Sequence, residues 1–264
     1  AHWPAWRYVR LFPEERRREM NLYGLIGKPL KHSFSAAYFN QKFAAEGIDA
    51  DYRNFELDSI AQLTQLLQQQ PNLKGLNVTI PYKKEVLPYL HHTDETVQQI
   101  GACNCIKIVD GKLYGFNTDT IGFRHSLEPH LKTHHTKALV LGTGGSSGAV
   151  QNALKQLGIA FKLVSRQKGK ETFLYEELNN DIIEQHTLII NTTPLGMFPN
   201  TDAAPYIPYS AITSQHLLYD LIYNPEKTLF LQRGEAQGAA ILNGYQMLLL
   251  QAEAGWEIWN NSHP

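Results

Sequence analysis

The sequence predicts an α/β protein built from two α/β domains. Short apolar runs alternate with segments of helical periodicity along the chain, and a glycine-rich turn follows one of those runs near its middle. The length of 264 residues is long for one compact core and comfortable for two domains. Hydrophobic residues make up 43% of the chain and charged residues 19%, which is typical of a folded globular protein.

The first half of the chain is predicted to alternate between strand and helix. Predicted strands cover 22–27, 51–57 and 73–80, and predicted helices cover 33–46 and 59–70. Ser33 or Ser35 is the expected N-cap of the first helix. Asp110-Gly111 separates two further apolar runs, and both of its residues tolerate the positive φ of a type I′ turn, so a hairpin is expected there.

The second half begins with a predicted helix over 120–131 and a polar break. A new series of apolar runs follows, at 138–141, 160–164, 188–190, 217–221 and 239–242. Runs that are short, rich in β-formers and separated by helical segments are typical of a parallel sheet covered on both faces. A final, well-buried helix is expected over 245–260.

The charge balance and the chain's first residues exclude several classes of protein. The formal net charge is −1, so no global field recruits nucleic acid or an anionic membrane. No apolar stretch approaches the roughly 20 residues that span a bilayer. Residues 1–20 do not resemble a secretory signal and are treated as an extension of unknown role.

The cysteines and paired histidines predict no metal site. Cys103 and Cys105 suit neither a disulfide framework nor zinc, and we expect them to be small apolar residues in a reducing, cytoplasmic compartment. The histidine pairs at 91–92 and 134–135 lack further ligands at metal spacing and are interpreted as surface residues.

The glycine-rich turn lies between a predicted strand and a predicted helix, in the segment Gly142-Thr-Gly-Gly-Ser-Ser-Gly148. This arrangement directs backbone N–H groups and the positive end of a helix dipole toward a pyrophosphate. The spacing departs from G-x-G-x-x-G because the third glycine falls one residue late. A glycine turn without a ligand is therefore the alternative.

The next predicted strand ends in Ser165-Arg-Gln-Lys-Gly-Lys170. The segment has no acid to hold the ribose hydroxyl of NAD, but its three cations suit the 2′-phosphate of NADP. A solvated basic loop is the simpler interpretation of the same residues. We predict that the second domain is Rossmann-like and binds NADP.

Two polar segments of the first half could supply chemistry. Lys83 follows a strand that ends at a proline, and Asp119 follows the second strand of the hairpin. A lysine and an aspartate in one cleft could pass a proton to a ketone oxygen while a hydride reaches the carbon. Taken singly, Asp119 could be a helix N-cap, and Lys83 and Lys84 a solvated helix start.

A series of segments in matching order, from about Leu22 to Trp259, resembles the shikimate dehydrogenase family. They are Gly27-Lys-Pro-Leu-Lys-His-Ser-Phe-Ser35, Asn77-Val-Thr-Ile-Pro-Tyr-Lys83, Gly101-Ala-Cys-Asn104, Asn117-Thr-Asp119, the glycine turn, Asn191-Thr-Thr-Pro-Leu-Gly-Met197, Tyr219-Asp-Leu-Ile-Tyr-Asn-Pro225, and Gly244-Tyr-Gln-Met247 with Gln251.

The resemblance implies a division of the chain and a reaction. It implies a substrate-binding catalytic domain over 21–119, completed by 244–264, and an NADP-binding Rossmann-like domain over 120–243, with the active site in the cleft between them. The implied reaction is the reversible, NADP-dependent reduction of 3-dehydroshikimate to shikimate in chorismate and aromatic amino acid biosynthesis. A cytoplasmic monomer or homodimer without nucleic-acid or membrane partners is expected.

The resemblance also implies residue roles. The catalytic pair would be Lys83 and Asp119. The substrate would be bound by Ser33 and Ser35 through its carboxylate, and by Asn77, Thr79, Asn104, Asp119 and Gln251 through its ring hydroxyls, with Tyr223 bordering it. The cofactor would contact Gly142, Gly144, Gly145 and Ser146 at the diphosphate, Ser165, Arg166, Gln167 and Lys170 at the 2′-phosphate, and Thr192, Met197 and Gly244 elsewhere.

Two alternative functions are compatible with the same residues. A quinate/shikimate dehydrogenase would accept the extra hydroxyl of quinate and could use NAD, but Ser33 favours shikimate because a bulkier or apolar neighbour there would alter the carboxylate pocket. A non-catalytic dinucleotide sensor is disfavoured because it needs neither Lys83 nor Asp119.

Overall fold

The computed structural model describes residues 20–31 and 33–262, which fall into two compact units. The first unit holds the described residues up to Asn117 together with those from Gly255 onward, and the second holds Thr118–Ala254. Within these ranges each unit contains one six-stranded sheet, as the predicted α/β class requires. Residues 1–19 of the proposed extension, and His32, lie outside the described residues.

The sheet of the first unit is mixed, with the strand order β2-β1-β3-β5-β6-β4. Its strands are β1 (Asn21–Gly27), β2 (Ala50–Glu56), β3 (Leu73–Val78), β4 (His92–Thr93), β5 (Cys105–Val109) and β6 (Lys112–Phe116). β1 pairs in parallel with β2 and β3, whereas β5 runs antiparallel to β3 and β6. The hairpin is confirmed, and its turn residues Asp110 and Gly111 have φ angles of 49° and 73°.

Four helices accompany this sheet among the described residues: α1 (Phe34–Glu46), α2 (Leu63–Gln69), α3 (Tyr82–Glu85) and α4 (Glu95–Ile100). The helix predicted over 59–70 starts as a 3₁₀ turn at Ile60–Gln62, where the Ser59 hydroxyl accepts a hydrogen bond from the N–H of Ala61. Ser33 occupies the N-cap position of α1, but its hydroxyl makes no capping bond.

The two faces of the first sheet pack differently because strand side chains alternate between faces. Leu22 and Ile26 of β1 join an aliphatic core, whereas Tyr23 contacts an aromatic cluster of Phe43, Trp256 and Trp259. The last helix approaches the sheet closely at Gly75, where an added Cβ would lie 2.4 Å from the Trp259 indole nitrogen.

The sheet of the second unit is parallel throughout, with the strand order β12-β11-β10-β7-β8-β9. Its strands are β7 (Lys137–Leu141), β8 (Ala160–Ser165), β9 (Thr172–Leu174), β10 (Leu188–Asn191), β11 (Leu217–Asp220) and β12 (Ala240–Leu242). Val140 lies in one core and Leu141 in another, so both faces are covered, which confirms the prediction.

Five helices belong wholly or partly to the second unit among the described residues: α5 (Asp119–Leu127), α6 (Gly145–Gln156), α7 (Asn180–Gln185), α8 (Leu229–Ala236) and α9 (Tyr245–Asn260). The unit boundary at Ala254 and Gly255 falls inside α9, and the other boundary falls between Asn117 and Thr118. The sequence predicts domain boundaries between residues 119 and 120 and between residues 243 and 244. Within the described ranges, every helix is too short or too polar to cross a membrane.

One pair of histidines departs from its predicted surface position. His135 is only 6% exposed, and His134 is half-buried. The N–H of Lys132 donates to His135 Nδ1 at 2.9 Å, and both rings place Nε2 within 3.2 Å of the Gln215 carbonyl oxygen. The surface interpretation is wrong for His135 because backbone groups satisfy both of its ring nitrogens, which permits burial.

Candidate active site

Several predicted substrate residues meet at one edge of the first sheet. Thr79 follows the end of β3 directly, and Asn77 lies in the same strand, paired with Cys105 at the start of β5. The N–H of Val78 donates to the Asn104 carbonyl oxygen at 2.8 Å, which holds Asn104 beside the end of β3. Polar groups at a strand's carboxyl end are placed where α/β sheets bind ligands.

Ser33 carries a buried hydroxyl that has no hydrogen-bond partner among the described residues. A buried polar group without a partner costs free energy, and such groups are rare in folded proteins. A ligand oxygen would satisfy this hydroxyl. Ser33 is therefore suited to the carboxylate contact that the sequence predicts for it.

Tyr52 is a residue that the sequence did not single out. Its hydroxyl donates to Asn77 Oδ1 at 2.7 Å and is also hydrogen-bonded to Ser35. Burial raises the pKa of Tyr52 well above its ordinary value, so the hydroxyl keeps its proton at physiological pH. Tyrosine is common in strands, and nothing in the local pattern marks this one as polar in role.

Lys83 and Lys84 have different surroundings. Lys83 is half-buried, and its carbonyl oxygen accepts a hydrogen bond of 2.8 Å from the N–H of Cys103, which ties α3 to the segment leading to Asn104. Lys84 is exposed. The interpretation as a solvated helix start therefore describes Lys84 but not Lys83.

The two cysteines have the packing role that the sequence predicts. Both are buried free thiols, and Cys103 Sγ donates to the Cys105 carbonyl oxygen at 3.3 Å. Burial raises the pKa of Cys103 to about 12, which keeps this thiol protonated and unreactive.

Asp119 is the first residue of α5, and Thr118 takes the N-cap position instead. One turn later, an added Cβ at Gly122 would lie 2.7 Å from the Met247 carbonyl oxygen and 3.0 Å from the Gln251 N–H nitrogen. This close packing brings the start of α5 and Gln251 together within the second unit. Lys83 belongs to the first unit and Asp119 to the second, and their pairing stays a prediction.

The glycine turn has the conformation that its sequence requires. Gly142 has a φ of 105°, which side chains rarely allow, and an added Cβ would lie 2.7 Å from Thr192 Oγ1. Gly144 caps the twelve-residue helix α6, which starts at Gly145, and an added Cβ on either glycine would meet no atom within 4 Å. Ser146 is the next residue of that first turn. The backbone N–H groups at the start of α6 therefore have open space beside them, which suits a bound diphosphate.

The loop after β8 supplies fewer cations than its sequence suggests. Lys168 forms an ion pair with Glu177, with 2.7 Å from Nζ to each carboxylate oxygen. Arg166 and Lys170 are exposed and form no ion pair with the described part of the chain. The N–H of Gln167 donates to Ser165 Oγ at 3.2 Å, which holds the first turn of the loop. Two cations and no acid in this loop still fit a 2′-phosphate.

Four remaining predicted residues follow the strands β10, β11 and β12. Met197 and Tyr223 are 48% and 40% exposed, in the segments after β10 and β11. Thr192, directly after β10, donates from Oγ1 to the Leu141 carbonyl oxygen at 2.7 Å and so braces the glycine turn. Gly244 has a packing role, because an added Cβ would lie 1.8 Å from the Leu221 carbonyl oxygen.

Comparison with known proteins identifies the family. Residues 25–106 match the family model described as the shikimate dehydrogenase substrate binding domain. A curated relative from Methanosphaera stadtmanae, named Shikimate dehydrogenase (NADP(+)), is 35% identical over 91% of this chain and 92% of its own length. The chain belongs to the shikimate dehydrogenase family. The resemblance seen in the sequence is thereby confirmed.

Solved members of the shikimate dehydrogenase family have the same fold. The Aquifex aeolicus enzyme superposes with a TM-score of 0.82 at 34% identity, covering 93% of this chain and 95% of that one. A shikimate dehydrogenase solved in complex with NADP⁺ superposes with a TM-score of 0.80 at 32% identity, covering 93% and 92%. Among the described residues, groups of three or more potential metal ligands are absent.

Proposed function

We propose that this chain catalyses the reversible, NADP-dependent reduction of 3-dehydroshikimate to shikimate, a step of chorismate and aromatic amino acid biosynthesis. Membership of a family whose curated relatives are named Shikimate dehydrogenase (NADP(+)) carries this proposal. The buried, unpartnered hydroxyl of Ser33 supports it from the substrate side, since an anionic ligand would satisfy that group.

NADP would be held by the glycine turn and the basic loop of the second unit. The N–H groups of Gly144, Gly145 and Ser146 would bind the diphosphate at the start of α6, with Gly142 shaping the turn. Arg166 and Lys170, with Ser165 and Gln167, would bind the 2′-phosphate. Thr192 and Met197 would border the nicotinamide, and Gly244 would also contact the cofactor. The chemistry that NADPH supplies when bound is hydride transfer to the ketone carbon.

Proton transfer would fall to Lys83. As the ketone carbon is reduced, the Lys83 ammonium donates a proton to the carbonyl oxygen, which becomes the new hydroxyl of shikimate. In the reverse direction the neutral amine takes the hydroxyl proton. Asp119 would keep Lys83 oriented, because a carboxylate accepts hydrogen bonds from an adjacent ammonium.

The remaining polar residues would hold the substrate in a reactive orientation. Ser33 and Ser35 would bind the carboxylate. Asn77, Thr79, Asn104, Asp119 and Gln251 would bind the ring hydroxyls, and Tyr223 would border the ring. Holding the ketone beside both reacting partners lowers the barrier by removing rotational and translational freedom before the reaction.

The test follows the loss of NADPH absorbance with 3-dehydroshikimate in the wild type and in Lys83→Ala. We expect the substitution to lower turnover by about 10²–10⁴-fold, the usual contribution of a proton-transferring side chain. The KM for NADPH should stay nearly unchanged. Lys84→Ala is the matched control, because it removes the same charge from the neighbouring, exposed residue.

Two results would contradict the proposal. Wild-type protein that binds NADPH without turnover would favour a dinucleotide sensor. An equal loss of turnover and cofactor affinity in Lys83→Ala would mean that Lys83 is structural. Parallel assays of shikimate and quinate oxidation with NADP⁺ and with NAD⁺ complete the test, and we expect shikimate with NADP⁺ to have the highest kcat/KM.

Cellular location and assembly are proposals of the same kind. The two free thiols support a reducing compartment, and we propose the cytoplasm. A monomer or homodimer is proposed, which light scattering of the purified protein would distinguish.

A further inference from the structure

A short chain of hydrogen-bonded hydroxyl and amide groups joins proposed substrate residues of the first unit, and Tyr52 and Asn77 are its buried members. Tyr52, in the middle of β2, is 2% exposed, and its hydroxyl donates to Asn77 Oδ1 over 2.7 Å. The Ser35 hydroxyl is hydrogen-bonded to the same tyrosine oxygen. Tyr52 therefore joins two residues that the proposed function assigns to the substrate, although it is not itself assigned to it.

Tyr52 is held firmly on its other sides. Its ring stacks on Phe39 with 4.8 Å between centroids and 11° between planes. The Asn40 side chain binds both backbone groups of Tyr52, accepting from its N–H at 3.0 Å and donating to its carbonyl oxygen at 2.9 Å. β2 is an edge strand, so Asn40 satisfies backbone groups that a neighbouring strand would otherwise bind. The hydroxyl of Tyr52 thus has a fixed position.

A fixed hydroxyl determines how the Asn77 side chain is oriented. A carboxamide has one accepting oxygen and one donating NH₂ group, and the two can exchange places by a half-turn. The Tyr52 hydroxyl donates to Oδ1, so it favours the orientation in which Nδ2 is directed elsewhere. Nδ2 has no hydrogen-bond acceptor among the described residues. The Asn77 amide therefore offers a ligand a donor.

We propose that Tyr52 is a positioning residue, which fixes the Asn77 carboxamide so that its NH₂ group donates to an oxygen of the substrate. This inference rests on the proposed function, since it takes Asn77 to be a substrate residue. It adds a direction to that contact: the substrate oxygen at Asn77 accepts the hydrogen bond. The chain of hydrogen bonds from Ser35 through Tyr52 to Asn77 would make the orientation cooperative.

The first test is Tyr52→Phe, which keeps the ring and its stacking but removes the hydroxyl. Without it the Asn77 amide can take both orientations, so we expect the KM for 3-dehydroshikimate to rise about tenfold, with kcat changed less than threefold and the KM for NADPH unchanged. In an Asn77→Ala background the same substitution should raise the KM no further. A general structural role would raise it equally in both backgrounds.

Tyr219→Phe is the matched control. The Tyr219 hydroxyl is also buried, and it lies 2.6 Å from Ser126 Oγ in the second unit. Both substitutions remove a buried tyrosine hydroxyl, so both should lower the Tm. Only Tyr52→Phe should change the substrate KM.

A second variant tests the amide direction without touching Tyr52, in case Tyr52→Phe does not fold. Asn77→Asp keeps an oxygen for the Tyr52 hydroxyl but loses the donating NH₂ group. We expect it to raise the substrate KM at least as much as Asn77→Ala does. Retained affinity in Asn77→Asp would overturn the inference, as would an unchanged KM in folded Tyr52→Phe. Absence of wild-type turnover would instead overturn the proposed function, and this inference with it.

Discussion

At the scale of the residue, Ser33 is expected to matter for substrate binding but not for the stability of the fold. Its buried hydroxyl has no partner among the described residues and stabilises nothing there. Ser33→Ala should therefore leave the free energy of unfolding unchanged or raise it by about 1 kcal/mol, since an unsatisfied buried group is removed. The substrate KM should rise about tenfold, because the carboxylate loses a donor.

Ser59→Ala is the control for Ser33→Ala. The Ser59 hydroxyl caps a short 3₁₀ turn, so its loss should lower the free energy of unfolding by roughly 0.5–1 kcal/mol without altering the KM. Urea denaturation and steady-state kinetics of the two variants measure both quantities. A Ser33→Ala protein that is clearly destabilised, with an unchanged KM, would contradict the prediction.

Residues are predictable from sequence when their type and position already imply a chemistry. Lys83 and Ser33 stand in polar segments that follow β3 and β1, at strand ends of the kind where α/β sheets bind ligands. Tyr52 could not be found in that way, because its proposed role depends on Asn77, which is 25 residues away. The burial of His135 cannot be predicted for the same reason, since the Gln215 carbonyl that permits it is 80 residues away.

At the scale of the element, Asp220 organises the start of α8. It is fully buried at the end of β11, and its carboxylate accepts hydrogen bonds from Thr228 Oγ1 at 2.6 Å, Asn191 Nδ2 at 3.1 Å and the Ile222 N–H at 3.1 Å. Thr228 in turn caps α8 by accepting from the N–H of Leu231. One carboxylate thus joins two neighbouring strand ends to a helix start.

Asp220→Ala should lower the free energy of unfolding by about 3 kcal/mol. The substitution removes three buried hydrogen bonds and leaves the Thr228 hydroxyl and the Ile222 N–H without an acceptor, and each unsatisfied donor costs about 1–3 kcal/mol before the structure relaxes. Asp202→Ala, at an exposed aspartate of the same unit, should change stability by less than about 0.5 kcal/mol. Urea denaturation at pH 7 gives both values, and equal effects would contradict the assigned role.

Elements with strong periodicity were predicted well, and short ones were not. The five apolar runs of the second half and the hairpin at Asp110-Gly111 are all present, within one or two residues of the predicted bounds. The strands at His92–Thr93 and Thr172–Leu174 were not predicted, because two or three residues are too few for a pattern and depend on a partner strand. Pairing of this kind is a tertiary property.

At the scale of the whole molecule, two buried histidines of the second unit should make stability depend on pH. Burial is the first cause that lowers the pKa of His135, and the neighbouring charges of His134, Lys132 and His216 add to it. Burial likewise lowers the pKa of His186, with help from Lys137 and Lys162. The unfolded chain takes up these protons near pH 6.5 and the folded chain does not. The contribution of these two histidines to the free energy of unfolding is therefore complete above that pH. It is lost as the pH falls through their lowered pKa values.

Asp220 has the opposite effect on stability. Burial raises its pKa from 3.8 to about 6, so the folded chain holds this proton more tightly than the unfolded chain does. Its contribution is complete below about pH 4 and is lost as the pH rises through 6. The two effects overlap below pH 6, where Asp220 partly offsets the histidines.

We therefore expect the free energy of unfolding to fall from pH 7.5 to pH 6 in the wild type, and more gradually below pH 6. The double variant His135→Gln with His186→Gln should flatten the upper part of this profile, whereas His92→Gln, at an exposed ring, should leave it as in the wild type. Urea denaturation at each pH gives the profile.

Asp220→Asn should make the free energy of unfolding fall more steeply below pH 6, because the offsetting proton uptake by Asp220 is gone. A wild-type profile that rises as the pH falls from 7.5 to 6 would mean that protonation of the imidazoles stabilises the fold instead.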